Sequence, residues 1–408
     1  MPDQPVSRRA QAVNNAGSAR LVLDFFVNTY LKHVHGESGI SDFTFGNPHE
    51  MPIPALVDAL QKWTVPRNQN WFAYKTSEPN AQQVVAESLQ RMLGMPFEPD
   101  DIVMTNAGLG AIVTTLKLVA DPGDEIIYSL PPWFGNEPIC IEAGLTPVKV
   151  RINLETFDLD LDAIEAAITP RTRVVLVNTP HNPTGKVIPP ETLQRLAEIL
   201  DAASARNGRR IYLLADEPYN RIVFDGIEYH SPLEFYPYSF MAYSYGKTLI
   251  APGQRIGYLA MPPTMPRADR EQLRAATTGI QTASGYLFPN ALLQHAIGDL
   301  EQLRLDVAHL QRKRDHMVDA LRKMGYEVHR PEGTFYLFPK SPIRDDRAFT
   351  NMLLAENVAV LPGHIFETPG YFRICLTAND EMIECGLPGF RRAIERAAST
   401  HPARTASG

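Results

Sequence analysis

A regular alternation that begins near residue 100 constrains this chain more than any other feature. Apolar, β-branched runs of strand length are each followed by a longer amphipathic run. The strand candidates span 101–105, 124–130, 146–152, 172–178, 210–216, 239–245 and 255–261. Between them lie helix candidates such as LGAIVTTLKLVA, LDAIEAAI and PETLQRLAEILDAASARNG. Pro190 stands near the start of the last and Gly208 just past its end, where helix termini favour these residues. This alternation predicts an α/β fold, with a mostly parallel sheet covered by helices on both faces.

The pattern changes after residue 290. One long helical stretch over 289–325 leads into GYEVHRPEGTFYLFPK, which reads as two short strands. VAVLPG and YFRICLT follow as strands, and PGFRRAIERAAS closes the chain as a helix. These elements predict a smaller α+β domain, with the long helix as hinge. Near the N-terminus, LVLDFFVNTYLKHV reads as an amphipathic helix. Asp24, Asn28 and Lys32 make it too polar, and its length too short, to span a bilayer. The expected division is a flexible extension (1–18), a helix and arm packing on the small domain (19–52), a large domain (53–290), a small domain (291–399) and a disordered tail (400–408).

On this map, four polar or small residues fall just beyond strand ends. Gly108 follows IVMT, Asn182 follows VVLVN, Asp216 ends IYLLA and Lys247 follows SFMAYSY. In open α/β sheets, ligands bind in the crevice at that edge. The turn TNAGLGAIV could cradle an anion on helix N–H groups, or could be only a glycine-lined tight turn. Lys247 could be a solvated turn lysine. Burial beside Asp216 and Asn182 would instead favour a neutral amine able to attack a carbonyl. A nucleotide-binding Gly-Lys-Thr loop is excluded, because the position five before Gly246 is Met241, inside an apolar run.

Composition removes other classes. The net charge of −7 comes without a basic stripe, against a nucleic-acid surface. Three scattered cysteines suit neither a disulfide framework nor a metal site, so a reducing, cytoplasmic setting and no bound metal are expected. The first residues lack the apolar core of a secretion signal.

Three motifs in order then resemble the fold type I pyridoxal-phosphate (PLP) enzymes, specifically the class I/II aminotransferases, from about residue 40 to about 395. They are NPTG at 182–185, Asp-x-x-Tyr in DEPY at 216–219, and the lysine motif SYGKTLIAPGQRIG. The resemblance implies a large PLP-binding domain and a small domain built from both chain ends. It implies transfer of an amino group between an L-amino acid and a 2-oxo acid, through an internal aldimine on Lys247. Asp216 would face the pyridine nitrogen, Asn182 and Tyr219 the ring oxygen, and Trp133 the ring face. Gly108, Leu109, Ser244 and Arg255 would hold the phosphate, together with Tyr74 from a neighbouring subunit in a homodimer with shared sites. Arg373 would anchor the substrate carboxylate, and Gly46 and Asn182 would line the substrate pocket. Leu109 replaces a usual Ser or Thr, and Ile250 is bulkier than the residue usual three after the lysine. The same scaffold also hosts C–S lyases, decarboxylases, cyclases and oxidases. A transcription regulator would need a DNA-binding module, and only about 40 residues precede the resemblance.

Overall fold

Seven strands build the central sheet of the computed structural model, which describes residues 5–400. They are β1 (Ile102–Thr105), β2 (Glu125–Leu130), β3 (Thr146–Arg151), β4 (Thr172–Asn178), β5 (Tyr212–Asp216), β6 (Ser239–Ser244) and β7 (Gly257–Ala260). Their spatial order is β1-β7-β6-β5-β4-β2-β3. All pairings are parallel except those of β7 with β6 and with β1. Each strand lies within a run read from the sequence, shortened where the ladder ends. The middles of the inner strands are apolar because both faces are covered, whereas the edge strand β3 carries Lys149 and Arg151. Along β4, Val174 and Leu176 enter one hydrophobic layer, and Val175 and Val177 the opposite one.

Helix ends follow the expected chemistry. Pro190 opens the helix Pro190–Asn207, and Gly208 ends it in the left-handed region at φ 62°. The amphipathic N-terminal segment is helical over Gly17–Phe25, a π turn at Phe26–Tyr30 and Leu31–His33. Residues Arg8–Asn15, read from the sequence as part of an extension, also form a helix, capped by the Ser7 hydroxyl. The expected tail lies outside the described residues beyond Thr400. No helix among the described residues is long and apolar enough to cross a membrane. Cys140, Cys375 and Cys385 are all free.

Two expectations need correction. The predicted long helix is two, Ala291–Leu300 and Val307–Lys323. Asp306 caps the second by accepting from the His309 N–H, while Glu301 turns inward at the break. GYEVHRPEGTFYLFPK supplies only one strand, Tyr336–Leu337, because residues 326–330 pack by side chains without a ladder partner. That strand joins Phe372–Cys375 and Leu361–Pro362 in an antiparallel sheet. Ser41–Asp42 pairs with Val358–Ala359, so both chain ends build the small domain.

Glu301 ties the helix break to the large domain. Its buried carboxylate accepts from Arg221 Nη2 at 2.8 Å, from Ser88 Oγ at 2.6 Å and from the Tyr245 hydroxyl. Removing one partner of such a network leaves a charge buried without compensation. Glu301→Ala should therefore lower unfolding stability by about 3–5 kcal/mol, read from the denaturation midpoint at unchanged m-value.

Candidate active site

Strand register assembles the site. Asn178 pairs with Asp216, Asp216 with Ala242, Ser244 with Gly257, and Gly257 with Thr105. The ends of β4, β5, β6 and β1 therefore stand side by side at the carboxyl edge of the sheet. A cavity of ≈ 280 Å³ opens there. Lys247, Asp216, Asn182, Tyr219, Ser244, Arg255, Gly108, Leu109, Trp133, Gly46 and Arg373 all border it. Tyr74 does not. It is 85% exposed and packs against Phe288, with ring centroids 4.6 Å apart.

Asp216 is the most demanding group in the cavity. Burial pushes its carboxyl up to about 7, and the nearby Lys247 ammonium only partly opposes this. Among the described residues its direct hydrogen-bonding support comes from Asn178, whose amide donates to the Asp216 carbonyl at 2.8 Å and to its Oδ2 at 3.3 Å. The Asn178 Oδ1 accepts the Asn182 N–H at 2.7 Å and so orients the next turn. Sequence reading missed Asn178, although its position as the last residue of β4 could have pointed to it.

Lys247 sits on a single helical turn, Tyr245–Thr248, directly after β6. Gly246 permits this turn, since a Cβ there would lie 3.0 Å from the Pro252 Cα. Ile250 then takes φ 46°, a strained conformation for a β-branched residue. The first turn of the helix Ala107–Val119 points its free N–H groups at the cavity from Gly108 and Leu109, and no side chain caps them. Ser244 lies beside them. The exposed Arg255 makes one protein contact here, donating from Nη1 to the Pro252 carbonyl at 2.8 Å. This corner offers donors suited to a phosphate.

Arg373 comes from the small domain and is 2% exposed. It donates to Asn182 Oδ1 at 3.0 Å and to the Thr44 carbonyl at 2.8 Å. Its guanidinium lies over the Tyr336 and Phe366 rings, and its Nε has no hydrogen-bond partner among the described residues. A buried cation with a spare donor suits a carboxylate. Tyr336 went unread in the sequence, yet its hydroxyl meets that of Tyr219 at 3.3 Å.

The residues fit PLP. A half-buried acid outside any ion pair among the described residues suits a ring cation, a set of N–H and guanidinium donors suits a phosphate, and a lysine lines the same cavity. Gly257 is the tightest point of this assembly. A Cβ there would lie 2.1 Å from the Tyr243 carbonyl oxygen and 2.9 Å from the Ala107 Cα. Gly257→Ala must push the Ala107–Gly108 turn away, at a cost of about 1–3 kcal/mol or more. It should also weaken cofactor retention on dialysis; unchanged retention would separate the turn from the phosphate corner.

Comparison with known proteins identifies the family. Residues 39–387 match the family described as aminotransferase class I and II. The aspartate/prephenate aminotransferase of Thermus thermophilus is 29% identical over 359 residues, covering 87% of this chain and 91% of that protein. The aspartate aminotransferase of Thermotoga maritima is 30% identical over 362 residues, covering 84% and 88%. Among solved structures, an amino transferase from Eubacterium rectale superposes with a TM-score of 0.88 at 28% identity, covering 97% of this chain and all of that one. The chain belongs to the class I and II aminotransferases.

Proposed function

We propose that the cavity at the carboxyl edge holds PLP, the cofactor this family uses, and that Lys247 works on the substrate's α-proton there. When bound, PLP supplies an aldehyde for the substrate amino group and a ring that accepts the electrons of the broken Cα–H bond. The single observation that supports this reading best is the half-buried Asp216, outside any ion pair among the described residues, lining one cavity with Lys247.

Each side chain then has a physical task. Lys247 Nζ takes the proton from the substrate α-carbon and returns it at the neighbouring position, the work of a positioned base. Asp216 keeps the ring nitrogen protonated by setting a carboxylate beside it where burial limits screening by water. Asn182 and the Tyr219 hydroxyl face the ring oxygen, and Trp133 covers the ring face. Gly108 and Leu109 N–H, Ser244 and Arg255 hold the phosphate. Arg373 fixes the carboxylate of an amino acid or 2-oxo acid, so both substrates of the transfer enter in one orientation.

The active unit in this reading is a homodimer. Phe72, Tyr74 and Phe288 are large side chains left exposed, which suits burial against a second copy, and the family resemblance assigns Tyr74 to the partner's phosphate corner. Three unpaired thiols suit a cytoplasmic setting.

Two measurements test the assignment. Borohydride reduction followed by peptide mass spectrometry should place a single pyridoxyl group on Lys247, and a label on another lysine would remove Lys247 from its role. Lys247→Ala should lower turnover by about 10²–10⁴-fold or more. The second measurement uses pH. In the cofactor-free chain Asp216 holds its proton up to about 7, whereas the unfolded chain loses it near 3.8. Folded protein then binds the extra proton between these values, so stability falls as pH rises through that window and levels off above it. Asp216→Asn removes this contribution. Its melting temperature relative to the parent should climb from pH 4 to pH 7 without cofactor, while its cofactor affinity falls.

A further inference from the structure

The substrate carboxylate end of the site is defined by Arg373, but the opposite end carries the information about side chains. Three cations border the cavity: Lys247, Arg255 and Arg373. Each already has a task in the proposed function. Most of the remaining wall is aromatic or aliphatic, formed by Phe45, Phe134, Trp133, Tyr336 and Ile112, and the uncharged amides of Asn47 and Asn178 complete it. The nearest lysine behind Phe134, Lys149, is held by Glu137 and Glu367 at 2.8 Å each.

Two of these rings are braced from outside by the N-terminal helices, which precede the segment matched to the family. Phe45 packs edge-on against Phe25, Phe26 and Tyr30, with centroids 6.3, 5.9 and 5.0 Å away. The backbone of Phe134 is pinned by the buried Ser18 hydroxyl, which donates to its carbonyl at 3.1 Å. Phe45 follows Thr44, whose carbonyl accepts from Arg373, so this ring stands one residue from the carboxylate anchor. The helical segment thus links Phe45 on the small-domain side to Phe134 on the large-domain side.

The segments a dimer partner would bring are short of free charge, since Arg67 lies over the Trp63 and Trp71 rings and Lys75 pairs with Glu78 at 3.2 Å. Residues 277–290 and 68–74 contain no Lys, Arg or His, and carry Phe72, Tyr74, Tyr286 and Phe288. Tyr286 is placed beside the phosphate corner, since its carbonyl accepts from Asn106 at 3.3 Å.

We infer that this site takes amino acids with aromatic or large apolar side chains, seated against Phe45 and Phe134, and disfavours acidic ones. The inference rests on the proposed function. A second carboxylate would enter an apolar wall with no cation to meet it, which costs desolvation without compensation. An aromatic ring instead gains buried area and edge contacts. The chain therefore parts in specificity from relatives named for aspartate.

The test mixes holoenzyme with single amino acids and follows conversion of the cofactor to its amino form by absorbance, without an oxo acid. Phenylalanine, tyrosine or leucine should exceed aspartate and glutamate in kcat/KM by about 10²-fold or more. Phe45→Ala and Phe134→Ala should lower the phenylalanine-to-alanine ratio of kcat/KM by about 10-fold or more, and Phe45→Leu should recover part of it. Aspartate converting as fast as phenylalanine, or the ratio staying unchanged in both variants, overturns the inference and leaves the aminotransferase reading standing. Conversion of none of these amino acids by unreduced holoenzyme, when a borohydride-treated aliquot of the same preparation carries the pyridoxyl group on Lys247, overturns both.

Discussion

A half-buried carboxylate with no cation bonded to it sets the requirement that the rest of the site meets. Asp216 closes β5 in the middle of the sheet, and the cost of ionising it there is high enough to hold its proton to about pH 7. An isolated fold would gain by replacing it with an apolar residue. Its presence makes sense when a ligand cation arrives, because a charge pair out of water is strong and directional. Asn178 holds the carboxylate in one orientation, and the same amide sets the turn carrying Asn182. The electrostatic demand of one residue thus fixes the geometry of two others.

The second constraint joins the domains. Arg373 rises from the small antiparallel sheet, yet its partners are Asn182 from the large domain and the Thr44 carbonyl from the N-terminal arm. The Asn182 turn is itself pressed against the small domain. The Glu332 and Gly333 N–H groups both donate to the Gly185 carbonyl, and a Cβ on Gly185 would lie 2.4 Å from the Pro331 Cβ. Three distant chain segments therefore share one buried guanidinium, and none of them can shift without leaving polar groups unpaired. This coupling gives a carboxylate a fixed seat relative to Lys247, as an orientation-dependent proton transfer requires.

Much of the fold was legible because strands covered on both faces are largely apolar along their middles, even where their ends or the edge strand β3 carry charge. The cavity-lining residues at 216, 219, 244, 247 and 255 were legible as types at fixed spacing, because they end strands or lie in the short turns beside strand ends at the sheet edge. The helix break near residue 301 was not. Its periodicity continues across the break, and only the buried partners Arg221, Ser88 and Tyr245 explain why Glu301 turns inward. Phe45, Phe134 and Tyr336 also went unread, since an aromatic residue in a loop looks alike in sequence whether it fills a core or lines a pocket.

By itself the sequence determined a doubly covered, mostly parallel sheet and the set of chemical groups at its carboxyl edge, because hydrophobic period and strand-end position are local properties. Only the tertiary structure decided which groups meet. Asn178 beside Asp216 depends on the register of β4 with β5. Arg373 beside Asn182 depends on domain docking across 191 residues of chain. The ring wall at Phe45 and Phe134 depends on the N-terminal helices folding back over both domains. Contacts at such separations are set by packing and by the pairing of buried polar groups, and no local pattern encodes either one.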